Sequence, residues 1–162
     1  MSPDGGATRF GVLDSDIFER MSGIDTLSAL LRGELPQPPI AEVMNIRLVR
    51  AEIGLAVFEG EALEAHRNPA GVIHGGWAAT ILDSALGCAT HSTLVAGERY
   101  TTIEMKVSYF RPVIAGKTGP LVCEGRIVNR GRTLSVSEAR LVDAQGKLYA
   151  HGTETCMIFP RS

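Results

Sequence analysis

The stretch His74-Gly75-Gly76-Trp77-Ala78-Ala79-Thr80-Ile81-Leu82-Asp83-Ser84-Ala85-Leu86-Gly87-Cys88-Ala89-Thr90-His91 decides how this chain of 162 residues is read. Its spacing predicts a helix that begins after the Gly-Gly pair and runs to about Thr93. Trp77, Ala78, Ala79, Ile81, Leu82, Ala85, Leu86, Cys88 and Ala89 point nearly all the way round that helix, and a helix apolar on every side is a buried one. Something else in the chain must therefore wrap it.

The wrapping comes from both directions along the sequence. Downstream, residues 101–111 alternate, with Ile103, Met105, Val107 and Tyr109 on one face and Glu104, Lys106 and Ser108 on the other, the period of a strand. Strand-like runs at 119–129, 133–143 and 147–159 follow, separated by turn signals at Asn129-Arg130-Gly131 and Asp143-Ala144-Gln145-Gly146. Upstream, runs at about 43–50 and 53–60 pair as a hairpin across residues 51–54, and residues 61–73 form an irregular loop containing Asn68-Pro69-Ala70-Gly71. Earlier still, Ile17, Phe18, Met21, Ile24, Leu27, Leu30 and Leu31 predict one helix over 14–31, with Asp14 or Ser15 as its N-cap. Leu35-Pro36-Gln37-Pro38-Pro39 breaks it as a stiff connector, and the Gly-rich residues 1–11 are expected to fray. The fold class is α+β: an antiparallel sheet curled around a central helix. Residues 1–39 read as a helical extension and linker, and 40–162 as the main domain.

Composition narrows the function. A net charge of −2 and a pI near 6.1 give no general attraction to nucleic acid or anionic membrane. The first 30 residues carry Asp4, Asp14, Asp16 and Glu19 and lack the pattern of a secretory signal, and no apolar run is uninterrupted enough to span a bilayer. Cys88, Cys123 and Cys156 have no metal or redox spacing and read as buried thiols of a cytoplasmic protein. His66, His74, His91 and His151 form no metal-ligand pattern with carboxylates or cysteines. No Gly-x-Ser-x-Gly elbow and no Gly-rich phosphate loop is present. The expectation is a chemistry without metal or organic cofactor.

The residue that stands out is Asp83. Between Arg67 and Glu98 it is the only formally charged side chain, and its helical neighbours Ala79, Thr80, Leu86 and Gly87 offer no cation. Desolvation of such a carboxylate raises its pKa toward the range of a general base; a structural hydrogen-bonded carboxylate is the competing reading. At the helix start, Gly75 and Gly76 can present backbone N–H groups at the positive end of the dipole with no side chain in the way, an arrangement that stabilises a developing oxyanion. A tight loop-to-helix turn is the plainer explanation of the same pair. His74 is read as orienting the loop or a carbonyl rather than moving protons. Gly75 and Asp83 are eight residues apart, roughly 12 Å along a helix axis. If both act on one carbonyl group, they come from two subunits with antiparallel helices, as in a two-fold homodimer with composite sites.

Asn68, His74-Gly75-Gly76, Asp83 and the strand ending Tyr109-Phe110-Arg111-Pro112 together resemble the hotdog-fold thioesterases of the phenylacetate-degradation type, over about residues 43–159. Asn68 six residues before His74, and Asp83 nine after it, match that family's active-site spacing. The resemblance implies hydrolysis of an acyl-CoA thioester, with coenzyme A entering only as part of the substrate. It implies that the Gly75 N–H polarises the thioester carbonyl and that Asp83 of the other subunit acts as nucleophile or as base. Asn68 then holds water or the carboxylate, and Thr101 matches a position where some relatives keep a water-assisting hydroxyl. Other relatives carry that hydroxyl one turn after the carboxylate, where this chain has Gly87. Gly76, Arg111 and the turn Arg130-Gly131-Arg132 are candidates for binding substrate, the arginines for the CoA phosphates; a solvated hairpin tip is the alternative for that turn. A homodimer, assembled further into a tetramer, is the implied partner state. The competing functions are a non-catalytic acyl-CoA sensor and a hotdog hydratase or dehydratase.

Overall fold

In the computed structural model, which describes residues 8–159, six strands form one sheet: β1 (Ile46–Glu52), β2 (Leu55–Gly60), β3 (Arg99–Tyr109), β4 (Leu121–Arg130), β5 (Leu134–Val142) and β6 (Leu148–Phe159). Their order across the sheet is β1-β2-β4-β5-β6-β3, and every neighbouring pair is antiparallel. Residues 1–7, most of the stretch expected to fray, lie outside the described residues. Arg9 and Gly11, from the same stretch, are tied to Gln37 by backbone hydrogen bonds of 2.8 and 2.9 Å, so at least this part is docked.

The concave face of the sheet holds the helix α4 (Gly75–His91). Alternation along each strand selects what meets it: Leu121, Cys123 and Gly125 from β4, Ser135, Ser137, Ala139 and Leu141 from β5, and Ala150, Gly152, Glu154, Cys156 and Ile158 from β6. Trp77, Ile81, Leu82, Ala85, Leu86 and Ala89 of the helix fill the core against them, and the Trp77 indole donates to the Met44 carbonyl at 2.8 Å. The approach is close because β4 has a glycine under the helix. A Cβ on Gly125 would lie 2.3 Å from the Ala85 carbonyl oxygen.

The expectation that α4 is covered on every side is corrected. Asp83 is exposed, and Gly76, Ala79, Thr80, Ser84 and Cys88 are half-buried along the same outer face. The side chains there are small or polar, so a single chain leaves that stripe uncovered.

The single N-terminal helix resolves into α1 (Ser15–Arg20) and α2 (Gly23–Leu31), because Met21 is extended and Ser22 caps a new start, accepting from the Asp25 N–H at 3.2 Å. Asp14 occupies the α1 N-cap without a side-chain bond. The break lets Gly23 pack on the end of α4, where its N–H donates to the Leu94 carbonyl at 2.9 Å. Leu27 is buried in the same core as α4, so the N-terminal extension helps complete that core. The proline connector also starts a helix unforeseen from the sequence, α3 (Pro39–Met44), with Pro39 in the first turn, where a missing N–H costs nothing, and Asn45 ending it at φ 51°. The irregular loop that follows contains a 3-10 turn (Glu64–His66). No helix among the described residues is long and apolar enough to cross a membrane.

The edge strand β3 departs from simple alternation. A bulge between Thr102 and Glu104 changes its phase. Tyr100 and Thr102 face α4 before it, Met105 and Val107 pack on the core after it, and Ile103 at the bulge is 52% exposed. Ile103 therefore leaves the apolar face to which strict alternation assigned it.

Candidate active site

His74 is the N-cap of α4, and its Nδ1 accepts from the Gly76 N–H at 2.8 Å. That bond uses the Gly76 donor, so of the two glycine N–H groups expected to face a ligand only that of Gly75 is left without an acceptor among the described residues. The Gly75 carbonyl in turn accepts from the Tyr109 hydroxyl at 3.1 Å. His74, Gly75, Tyr109, Arg111, Val113 and Tyr149 line a cavity of about 340 Å³. A free N–H at a helix start, opening on an apolar-walled cleft, is suited to hold a carbonyl oxygen that gains negative charge.

Asp83 lies two turns further along α4, on the uncovered face. It is exposed at the surface of a single chain, yet the surrounding helix and strand atoms strip enough water from its carboxyl to push its pKa up, while a hydrogen bond with Glu154 pulls it down. Glu154 was not anticipated from the sequence. Its side chain is 2% exposed on β6; the Thr102 hydroxyl donates to its Oε1 at 2.8 Å and the Cys156 thiol donates to the same oxygen at 2.9 Å. Burial raises the Glu154 pKa, and the adjacent Asp83 raises it further. Strand parity carried the missed signal: Glu154 has the same phase as Gly152, Cys156 and Ile158, the phase that points at the helix.

The other expected residues are dispersed. Asn68 accepts from the Ala70 N–H at 3.0 Å through its side-chain oxygen, which builds its own turn. Thr101 lies on the outward face of β3, and the hydroxyl that reaches the carboxyl pair within one chain is that of Thr102. A Cβ at Gly87 would meet the Tyr100 hydroxyl at 2.9 Å, so Tyr100 takes the space of any side chain one turn after Asp83. Arg111 donates to the Leu148 carbonyl at the mouth of the cavity. Arg130 is drawn inward, paired with Glu98 at 3.1 Å, bonded to the Thr93 hydroxyl at 3.1 Å and turned onto the Gly131 carbonyl; Arg132 is exposed beside it. The thiols of Cys88 and Cys156 are pushed up to about 12 by burial, which makes them poor nucleophiles. Among the described residues no three His, Cys, Asp or Glu side chains gather to hold a metal.

A helix cradled by a curled sheet, with a free glycine N–H at its start and a carboxyl two turns on, has counterparts among known proteins. The sequence model of the thioesterase superfamily matches residues 70–150, from the loop before His74 to the early part of β6. This chain belongs to the thioesterase superfamily. Human acyl-coenzyme A thioesterase 13 is 32% identical over 112 residues, covering 68% of this chain and 78% of that protein. A solved phenylacetic acid degradation-related protein of Ralstonia eutropha JMP134 is 31% identical with a TM-score of 0.73, covering 81% of this chain and 98% of that one. A mutant of the phenylacetic acid degradation protein PaaI from Thermus thermophilus superposes with a TM-score of 0.66 at 28% identity, over 74% of this chain and 97% of that one. The architecture is the hotdog fold, and the protein is a thioesterase of the PaaI-like type.

Proposed function

We propose that this thioesterase hydrolyses an acyl-CoA thioester to a free carboxylic acid and CoA at two composite sites of a homodimer, each taking Gly75 from one protomer and Asp83 from the other. The observation that carries the reading is the separation of the two groups on one straight helix, whose length from Gly75 to Asp83 is about 12 Å. No single carbonyl reaches both in one chain. The uncovered stripe of α4 and the exposed Ile103, Tyr109 and Phe110 at and just beyond the β3 edge are the surface a second copy would cover.

In that arrangement the Gly75 N–H, at the positive end of α4, donates to the thioester oxygen and more strongly to the oxyanion that replaces it. Asp83 acts in one of two ways. As base it takes a proton from water while the water oxygen bonds to the carbonyl carbon. As nucleophile it forms a mixed anhydride that water then opens. Either way the C–S bond breaks, and the thiolate, a good leaving group, departs as CoA and takes up a proton. The residues of this route need no metal or organic cofactor. His74 holds the loop by capping the helix. The side-chain amide of Asn68, whose oxygen alone is used in its turn, can donate to the water or the carboxylate. Arg111 at the cavity mouth and the exposed Arg132 are the cations placed for the CoA phosphates. A cytoplasmic setting suits three free thiols.

Thiol release measured across aromatic, short aliphatic and medium-chain acyl-CoAs tests the reading. Wild type is expected to turn over at least one class, and Asp83→Ala and Asp83→Asn to lower kcat by about 10²-fold or more, the scale of a lost general base. Mutants that keep the wild-type rate would remove Asp83 from the mechanism. Tight acyl-CoA binding with no cleavage by wild type would favour a sensor.

A further inference from the structure

The interior between α4 and β6 holds a carboxyl group for which the hydrolytic route above has no use. Glu154 is 2% exposed, and no cation contributes to its environment or to that of Asp83. Two donors, the Thr102 hydroxyl at 2.8 Å and the Cys156 thiol at 2.9 Å, converge on Oε1. Oε2 is buried and finds no donor among the described residues. What the carboxyl does face is the carboxyl of Asp83, at hydrogen-bonding range. Two carboxyl groups pair at that range only when one of them carries a proton. The pattern of donors says which oxygen carries it: Oε1, receiving two hydrogens, is the carbonyl oxygen, and the orphaned Oε2 is the hydroxyl.

We propose that Glu154 is a positioning residue for Asp83, a neutral carboxylic acid whose Oε2–H donates to the Asp83 carboxylate and holds it ionised and aimed for attack. The proposal rests on Asp83 being the attacking group. Burial favours the neutral form for the inner acid, and the outer, more exposed one keeps the charge. The bond also restricts rotation of Asp83 about its side chain, which is otherwise open to solvent on a helix surface. Thr102 becomes part of the same support, because its hydroxyl fixes the carbonyl end of Glu154.

The pair titrates as a unit. At low pH Asp83 takes a proton and loses its attacking form, which gives an acid limb. At high pH the shared proton leaves, the two carboxylates repel and Asp83 swings away, which gives an alkaline limb. The other titratable groups facing Glu154 stand clear of that window. Cys88 from α4 and Cys156 from β6 are pushed up to about 12, and Tyr100 from β3 is raised well above its usual range. His91, which stacks against Tyr100 at 5.9 Å, is pushed down to about 4. From β5 the register neighbour is Ser137, which does not titrate.

The test is steady-state acyl-CoA hydrolysis from pH 5 to 10 by wild type, Glu154→Leu, Glu154→Gln and Asp83→Asn, with folding checked by circular dichroism. Glu154→Leu is expected to lower kcat about 10–100-fold, the usual range for loss of a supporting partner, with KM nearly unchanged. Glu154→Gln, which still donates to Asp83 and still accepts from Thr102, is expected to recover most of that loss and to lack the alkaline limb. At pH 7 the infrared carbonyl stretch of a protonated carboxyl should be present in wild type and absent in Glu154→Gln, a readout independent of turnover that also serves if Glu154→Leu does not fold. An inactive Asp83→Asn beside a Glu154→Leu of wild-type kcat overturns the positioning role alone. An unchanged alkaline limb or a surviving infrared band in Glu154→Gln overturns it too. An Asp83→Asn of wild-type rate removes the attacking role of Asp83, and the positioning proposal with it.

Discussion

At Gly75 a single hydrogen carries the electrophilic half of the site, and one substitution removes it while leaving the helix a good start. Proline has no N–H, and the first helical position is where it is best tolerated. His74 already sits at φ −61° and ψ 136°, the extended geometry that a following proline requires. The Tyr109 ring, 3.3 Å from where a Cβ would stand, has to give by a few tenths of an ångström. Gly75→Pro is therefore expected to fold and to lower kcat about 10²–10³-fold, the cost of one lost oxyanion donor. A proline variant with wild-type kcat would show that the carbonyl is polarised elsewhere. The same scale explains why His74 is not a base here: its Nδ1 is already committed to the Gly76 N–H.

Among the elements, the contact between α4 and the sheet sets the distance from catalytic helix to supporting strand. Glycine is required at 125 because the Ala85 carbonyl stands 2.3 Å from its missing Cβ, and both atoms belong to rigid elements. Gly125→Ala must lift α4 from β4, at a cost of about 1–3 kcal/mol for overpacking. A lowered melting temperature is expected, with kcat falling as well, since a lifted helix carries Asp83 away from Glu154 on β6. A variant as stable as wild type would mean that the helix can slide without penalty. The bulge in β3 belongs to this scale too. By switching phase after Thr102 it lets one strand place a hydroxyl on Glu154 and, seven residues later, a tyrosine hydroxyl on the Gly75 carbonyl.

For the whole molecule, the composite site makes a demand that no single chain can meet. Asp83→Asn and Gly75→Pro each disable both sites of a homodimer. In a heterodimer of the two variants one site inherits both defects and the other inherits neither. Co-expressing and co-purifying them is expected to restore about one quarter of wild-type activity, from half the dimers carrying one sound site each. Separately purified variants mixed without exchange should stay inactive. No recovery after subunit exchange would place both groups of each site in one chain, and a monomer by light scattering at assay concentration would do the same.

The sequence determined the fold class and the two ends of the site, because both rest on local pattern. An apolar helix flanked by alternating runs can bury itself only in a curled sheet, and His74-Gly75-Gly76 and Asp83 lie on one continuous helix whose geometry fixes their spacing. Boundaries set by local chemistry were also legible, as at the turn after Asn129. What the sequence could not decide depended on contacts between distant segments. Ser22 ends a helix that apolar spacing alone would continue, because Gly23 must pack against the His91 carbonyl. Arg130 turns inward because Glu98, far away in sequence, stands beside it. Glu154 looked like one more polar residue of an alternating strand; only the packing of β6 under α4 shows that its inward phase ends on Asp83. The lone charge of the central helix thus has a companion. Periodicity fixes the direction in which a side chain leaves its own element, and only the tertiary structure fixes what it meets there.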